Sequence, residues 1–237
     1  MKRLPLLNWV LLSVGVLSFA SCRTVYAPNA INTPLFQERG ESKITLATNN
    51  LQAATAVSDH IGIMANGYFN AFTSDDRAFR NNGYGLEAGV GVFGSNENRI
   101  SYEAYGGVGF LNVKIRENND AKNFRAQGTK FFIQPAVGWV NPYFEVAFSP
   151  RLSVVKYGTP ELSGYTAQEQ ADYYFNTLAD APHAFIEPTL ILRGGYRWVK
   201  VQAQFGRSLK LTKNNLNYDD NVGSVGLIFN LARWYRD

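Results

Sequence analysis

The sequence predicts an all-β, up-and-down antiparallel transmembrane β-barrel. Three observations predict it. Beyond residue 40, apolar residues alternate with small or polar ones in segment after segment; the connections alternate between short and long; and aromatic residues gather at segment ends. A period of two puts successive side chains on opposite faces of a sheet. Short turns on one side, longer loops on the other and rings at both interfaces are the outer-membrane pattern. Composition agrees. Hydrophobic residues reach 46% and aromatics 14%, with 21 glycines, yet mean hydropathy is only −0.19. The apolar residues are thus dispersed, and no stretch beyond the N-terminus has the about 20 apolar residues of a membrane helix.

In chain order, Met1-Lys2-Arg3 is a charged start, Leu4 to Phe19 is mostly apolar, and Ala20-Ser21 puts small residues directly before Cys22. This is the layout of a secretory signal over residues 1–21. Cys22 is the only cysteine, which excludes an internal disulfide and argues against structural zinc. Residues 22–40 carry turn and extended signals, Ala27-Pro28-Asn29, Thr33-Pro34 and Arg39-Gly40, and read as a periplasmic linker. Residues 41–237 read as the barrel.

Glu41–Thr48 and Leu51–Val57 are two shorter strands joined at Asn49-Asn50, and a further strand starts at His60. The clearest strand is Gly83–Gly94, with Tyr84, Leu86, Val90 and Val92 on one face and glycines with Glu87 on the other. Arg99–Val113 sets Ile100, Tyr102, Val108 and Phe110 opposite Ser101, Glu103, Gly107 and Gly109. Thr129–Trp139, Tyr143–Val155, Ala184–Gly194, Trp198–Leu209 and Asn221–Leu231 repeat the pattern. Ser58-Asp59, Ser95 to Asn98, Val140 to Pro142 and Arg197 are the short turns; 71–82, 114–128, 156–183 and 210–220 are the long, polar loops. Alternation alone also fits a soluble sandwich, but its dry core would not accept a face of glycines and fixed charges. With both ends on the periplasmic side the strand number is even. Ten strands satisfy this; eight is the alternative, with Glu41–Val57 outside the wall.

Strand parity turns Glu87, Glu103, Glu145 and Glu187 into the lumen, together with Lys130, Arg151, Arg193 and Lys200. Buried charges persist only when paired and hydrogen-bonded, and a barrel this narrow is filled by side chains. The expectation is an internal salt-bridge network that plugs the lumen. A charged constriction in a narrow pore for small solutes or ions is the alternative. A membrane-embedded hydrolase comes third. His183 with Asp172 or Asp180 would be its base and orienter, but no nucleophile stands at a recognisable spacing. Asp59-His60 falls in a short turn, where Asp is an ordinary residue. Asp75-Asp76 and Asp219-Asp220 are loop acids that solvent satisfies or that hold divalent ions weakly. No phosphate loop, metal-ligand histidine cluster or nucleophile elbow is present in the sequence, so no catalytic residue, metal or cofactor is assigned. The net charge of +4 comes from scattered basic residues, which argues against nucleic acid. In the loop from Tyr157 to Pro182, Tyr165, Tyr173, Tyr174 and Phe175 form either an external binding surface or the loop's own packing.

Two motifs carry a resemblance. Phe19-Ala20-Ser21-Cys22 resembles the lipobox of bacterial lipoproteins, with Phe19 in place of the usual Leu. Ser224-Val225-Gly226-Leu227-Ile228-Phe229-Asn230-Leu231 resembles the barrel-assembly signal of outer-membrane proteins, its defined positions being Ser224, Gly226, Phe229 and Leu231. Here six further residues, Ala232 to Asp237, follow it. With Tyr26-Ala27-Pro28-Asn29 and Asp59-His60-Ile61-Gly62, the chain resembles the lipid-anchored outer-membrane β-barrel proteins of the Bacteroidota type. The resemblance implies cleavage before Cys22, a diacylglyceryl group on its thiol and an acylated new N-terminus, with chains such as palmitate. Several such chains anchor stably. Arg23 follows without an acidic run, from which an inner-leaflet lipid is expected. The expected protein is a structural or surface-binding barrel of the bacterial outer membrane, anchored at Cys22. Its partners would be outer-membrane lipids, the barrel-assembly machinery and an unidentified external ligand.

Overall fold

The computed structural model describes residues 23–74 and 78–231. The expected signal peptide, Cys22, Asp75-Asp76 and Ala232 to Asp237 lie outside the described residues.

The elements are β1 (Ser42–Ala47), β2 (Asn50–Ala56), β3 (Ile61–Thr73), β4 (Phe79–Ser95), β5 (Ile100–Glu117), β6 (Lys122–Val140), β7 (Phe144–Tyr157), β8 (Glu161–Ser163), α1 (Ala167–Asp172), β9 (His183–Tyr196), β10 (Val199–Arg207), β11 (Leu209–Lys210) and β12 (Asn221–Leu231). β1 to β7 pair in sequence, β7 pairs β9, β9 pairs β10 and β10 pairs β12, all antiparallel. β12 closes on β1 from Ser42↔Leu231 to Ala47↔Gly226. β8 lies on the tip of β6 and β11 continues the line of β10 against β9, so ten strands form the wall. Closure removes the free edge that a sheet in lipid cannot leave unpaired.

The polarity is that of a transmembrane barrel. Outward-facing Val90, Ile133 and Leu227 are 57%, 62% and 44% exposed, whereas inward-facing Lys130 and Glu187 are fully buried. The apolar outer face has a clear limit. On β5 it runs from Ile100 to Phe110 and gives way to Asn112, Lys114 and Arg116; on β6, Phe131 gives way to Thr129, Gln127 and Arg125. That band matches the about 9–11 residues with which a tilted strand crosses the hydrocarbon.

Two of the four expected long loops are much shorter. β3–β4 turns over 74–78 rather than 71–82, and β5–β6 over 118–121 rather than 114–128. The outer faces of these hairpin tips are polar and read as loop. Their inner faces carry Phe79, Ile115 and Phe124, which join a cluster with Val25, Tyr26 and Phe175, and reaching that cluster keeps the ladders paired. The connection 158–182 remains long. Thr166 caps α1 and forms a capping box with Glu169, which satisfies two otherwise orphaned donors. Phe175 then stacks on Phe124 with ring centroids 4.1 Å apart. Tyr165 and Phe175 are buried, so for these two rings the loop's own packing holds rather than an external surface. Loop 158–182 therefore roofs one mouth.

The stretch expected as a linker is inside the barrel. Thr24 to Tyr26 and Asn29 to Phe36 are buried. Arg23 meets Glu117 at the long-loop end, and Phe36 meets Ser101 and Phe93 at the short-turn end. The segment therefore threads the whole lumen before Glu41 leads into β1. A ten-stranded wall leaves more room than the inward side chains alone fill, and inner-face glycines widen it further. A Cβ at Gly85 would overlap the Tyr68 ring, and one at Gly107 would overlap Phe132.

Candidate functional site: the threaded lumen

An extended chain without a strand beside it has a full set of backbone groups to satisfy. The wall supplies the partners from side chains. Gln204 forms a two-way clamp on Ile31, accepting from its N–H at 2.9 Å and donating to its carbonyl at 2.9 Å. Gln52 and Asn66 donate to the Ala30 carbonyl at 3.2 and 3.1 Å, and Gln134 donates to Asn32 at 2.7 Å. Arg193 Nη2 reaches the Thr33 carbonyl at 2.6 Å, and the Leu35 N–H donates to Glu103 at 2.8 Å. Pro28 and Pro34 bring no N–H, so two donors that would need partners are absent. Near the long-loop end Tyr26 joins Tyr218 in a parallel bridge, the segment's single bridge to another strand-like stretch among the described residues.

All eight expected lumenal charges are buried, and they fall into groups around the threaded segment. In the first, Glu87 meets Lys130 at 2.9 Å and Arg151 at 3.5 Å, while Arg151 meets Glu187 at 2.6 Å. Asn29 sits at its centre. Its amide donates to Glu87 at 2.9 Å, and its side-chain oxygen accepts from Lys130 and Arg151, each at 3.1 Å. Tyr26 donates to Glu187 at 2.6 Å. In the second, Glu145 takes Arg193 at 2.7 Å and Lys200 at 2.6 Å. Glu103 stands apart, with the Leu35 N–H on one oxygen rather than any of the four expected cations. Sequence parity missed a third pair, Glu41 with Lys43 at 3.3 Å; the alternating register of β1 contains the signal for Lys43. Among the described residues, five acids and five bases, formally balanced, therefore line the lumen below the Arg23–Glu117 pair at its mouth.

The hydrolase residues are not brought together. The ring nitrogens of His183 face the Leu178 carbonyl at 3.2 Å and the Asn214 amide at 3.0 Å, rather than Asp172 or Asp180. Asp59 and His60 lie in the short turn before β3. No cluster of three or more His, Cys, Asp or Glu among the described residues is arranged to hold a metal ion. Asp219 accepts from the Asn221 N–H, and Asp220 lies 3.6 Å from Arg207. Ser224, Gly226, Phe229 and Leu231 are on β12, the strand that closes the barrel onto β1. In the long loop, Glu169 pairs with Lys122 of β6, and that bond is the first cause holding its carboxyl below the ordinary range.

No family model matches the chain, and no curated protein matches it. Among solved structures, it is similar to the translocator domain of the autotransporter NalP from Neisseria meningitidis. That match has a TM-score of 0.44 and 12% identity, covering 80% of this chain and 86% of the other.

Proposed function

We propose that the chain is an outer-membrane β-barrel lipoprotein, closed by its own N-terminal segment and presenting its long-loop end as a binding surface. The observation that carries this reading is the threaded stretch from Thr24 to Phe36, whose backbone and Asn29 complete the hydrogen bonds of the lumenal charges. A conducting pore would need water in that place. The charge network holds the segment in place, so its role is closure rather than ion selection. The purified protein in a planar bilayer is expected to be electrically silent; steady small conductance would contradict the reading and favour the narrow pore.

The lipid anchor at Cys22 is part of the same proposal. Cys22 directly precedes Arg23, and Arg23 is bound to Glu117 at the long-loop mouth through two bonds of 2.7 and 2.8 Å. With long loops facing outward, this reading puts the lipid on Cys22 in the outer leaflet, in place of the inner leaflet expected from the sequence. Cells fed a palmitate analogue should label the wild-type protein and leave Cys22→Ala unlabelled. Equal labelling of both would remove the lipid from the proposal.

A further inference from the structure

The wall is not of even height. β1 has 6 residues and β2 has 7, short of the about 9–11 that cross the hydrocarbon. Their ladder ends at Asn50↔Tyr68 on one side and Ala47↔Gly226 on the other, with one further bond to each neighbour, Phe69 N–H to the Asn49 carbonyl and Thr48 N–H to the Val225 carbonyl. Beyond it β3 runs on to Thr73 beside β4 alone, and β12 extends back to Asn221 beside β10 alone. At about 3.3 Å per residue and about 4.8 Å per strand, the missing piece of wall is roughly 15 Å in each direction. On the β10 side the hairpin stops inside the apolar band, because outward Phe205, level with Gly223, stands above its end.

A cavity of 1140 Å³ occupies this notch. Its lining mixes the two faces of the barrel. Lumenal Tyr68 and Ser224 share it with Val225, which faces the membrane at the edge of the gap, and with outward Phe205 one strand behind. A single space touches both faces only where the wall is interrupted. Its polar side is mostly amide and formally balanced. Asn49, Asn70, Asn81, Asn112 and Asn221 line it, against one base, Arg207, and one acid, Asp219. One buried lumenal lining group, Ser224 Oγ, has no hydrogen-bond partner among the described residues. Such groups are costly to leave unmade. Amides both donate and accept, as do sugar and glycerol hydroxyls.

We infer that the notch is a lateral port that takes a membrane lipid with an uncharged, hydroxyl-rich head group, its head among the asparagines and its chain along Phe205 and Val225. The inference rests on the membrane-spanning reading. The test places a benzophenone-bearing residue at position 224, and separately at 225, in full-length protein in vesicles of phosphatidylcholine with a neutral glyceroglycolipid. Irradiation should give a glyceroglycolipid adduct at 224 and lipid adducts of both kinds at 225. Gly223→Trp, where a Cβ meets nothing within 4 Å, sets a ring at the membrane side of the notch and should bring the 224 adduct to background. Adducts at 225 alone would overturn the port. An adduct at 224 that survives Gly223→Trp would show entry through the long-loop mouth and overturn it too. Replacing the glycolipid by phosphatidylglycerol and finding a stronger 224 adduct would overturn the head-group assignment. Adducts at neither position would overturn the membrane reading itself.

Discussion

Removal of residues 24–37 is expected to turn a silent barrel into a conducting one. The segment fills the lumen from the Arg23–Glu117 contact to the Phe36–Ser101 contact, and its excision leaves a space lined by five acids, five bases and several amides. Water satisfies these groups readily, so the wall has no reason to collapse. The expected record is steady ohmic current in a planar bilayer, with ion selectivity that shifts when Lys130 or Glu145 is neutralised. Asn29→Leu is the milder form. It removes three side-chain bonds to Glu87, Lys130 and Arg151 while keeping the chain length, and should give brief openings on a closed baseline. Identical silence of the wild type, the excision and Asn29→Leu, all folded by heat-modifiable migration on gels, would mean that something else closes the barrel.

Arg151→Met is expected to be the most destabilising single change in the wall. Arg151 is buried and meets Glu187 at 2.6 Å, Glu87 at 3.5 Å and the carbonyl and side chain of Asn29 at 3.2 and 3.1 Å. Methionine matches the stem but leaves Glu187 without its cation and Glu87 with Lys130 alone, and breaking a buried pair from one side costs about 3–5 kcal/mol. Glu187→Gln added to Arg151→Met removes the stranded charge, and the pair should recover about 1–2 kcal/mol of that loss, a normal coupling for contacting residues. Glu103→Gln should cost only about 1 kcal/mol, since the amide oxygen can still accept from the Leu35 N–H. Urea unfolding in lipid vesicles measures all three. Equal losses for Arg151→Met and Glu103→Gln would mean that the network is not organised around Asn29.

Much of the wall was legible in the sequence because period-two alternation depends on one local rule. The expected strand Asn221–Leu231 coincides with β12, and Glu41–Thr48 and Leu51–Val57 differ from β1 and β2 by a residue at their ends. The tips of β3 to β6 were misread because above the membrane their outer faces turn polar, at Asn82, Lys114 and Arg125, and polar alternation looks like loop. The threaded segment was invisible for a different reason. An extended chain whose partners are side chains on many strands has no period of its own, and its prolines read as linker. One signal was available. Gln52, Asn66, Gln134 and Gln204 all face inward, and neutral amides in a lumen of balanced charges need a partner such as a backbone.

The central claim is the direction of the thread, and cysteine accessibility tests it most directly. In a Cys22→Ser background, single cysteines replace Arg23 and Ile31 in the threaded segment, exposed Arg39, exposed Glu161 in the long loop and exposed Asn98 in a short turn. A membrane-impermeant maleimide is applied to intact cells and again after the outer membrane is permeabilised. The threaded barrel predicts that positions 23 and 161 label from the same side, that 39 and 98 label together from the other, and that 31 labels only after unfolding. Labelling of position 23 together with 39 and 98 would put the segment outside the barrel and contradict the account.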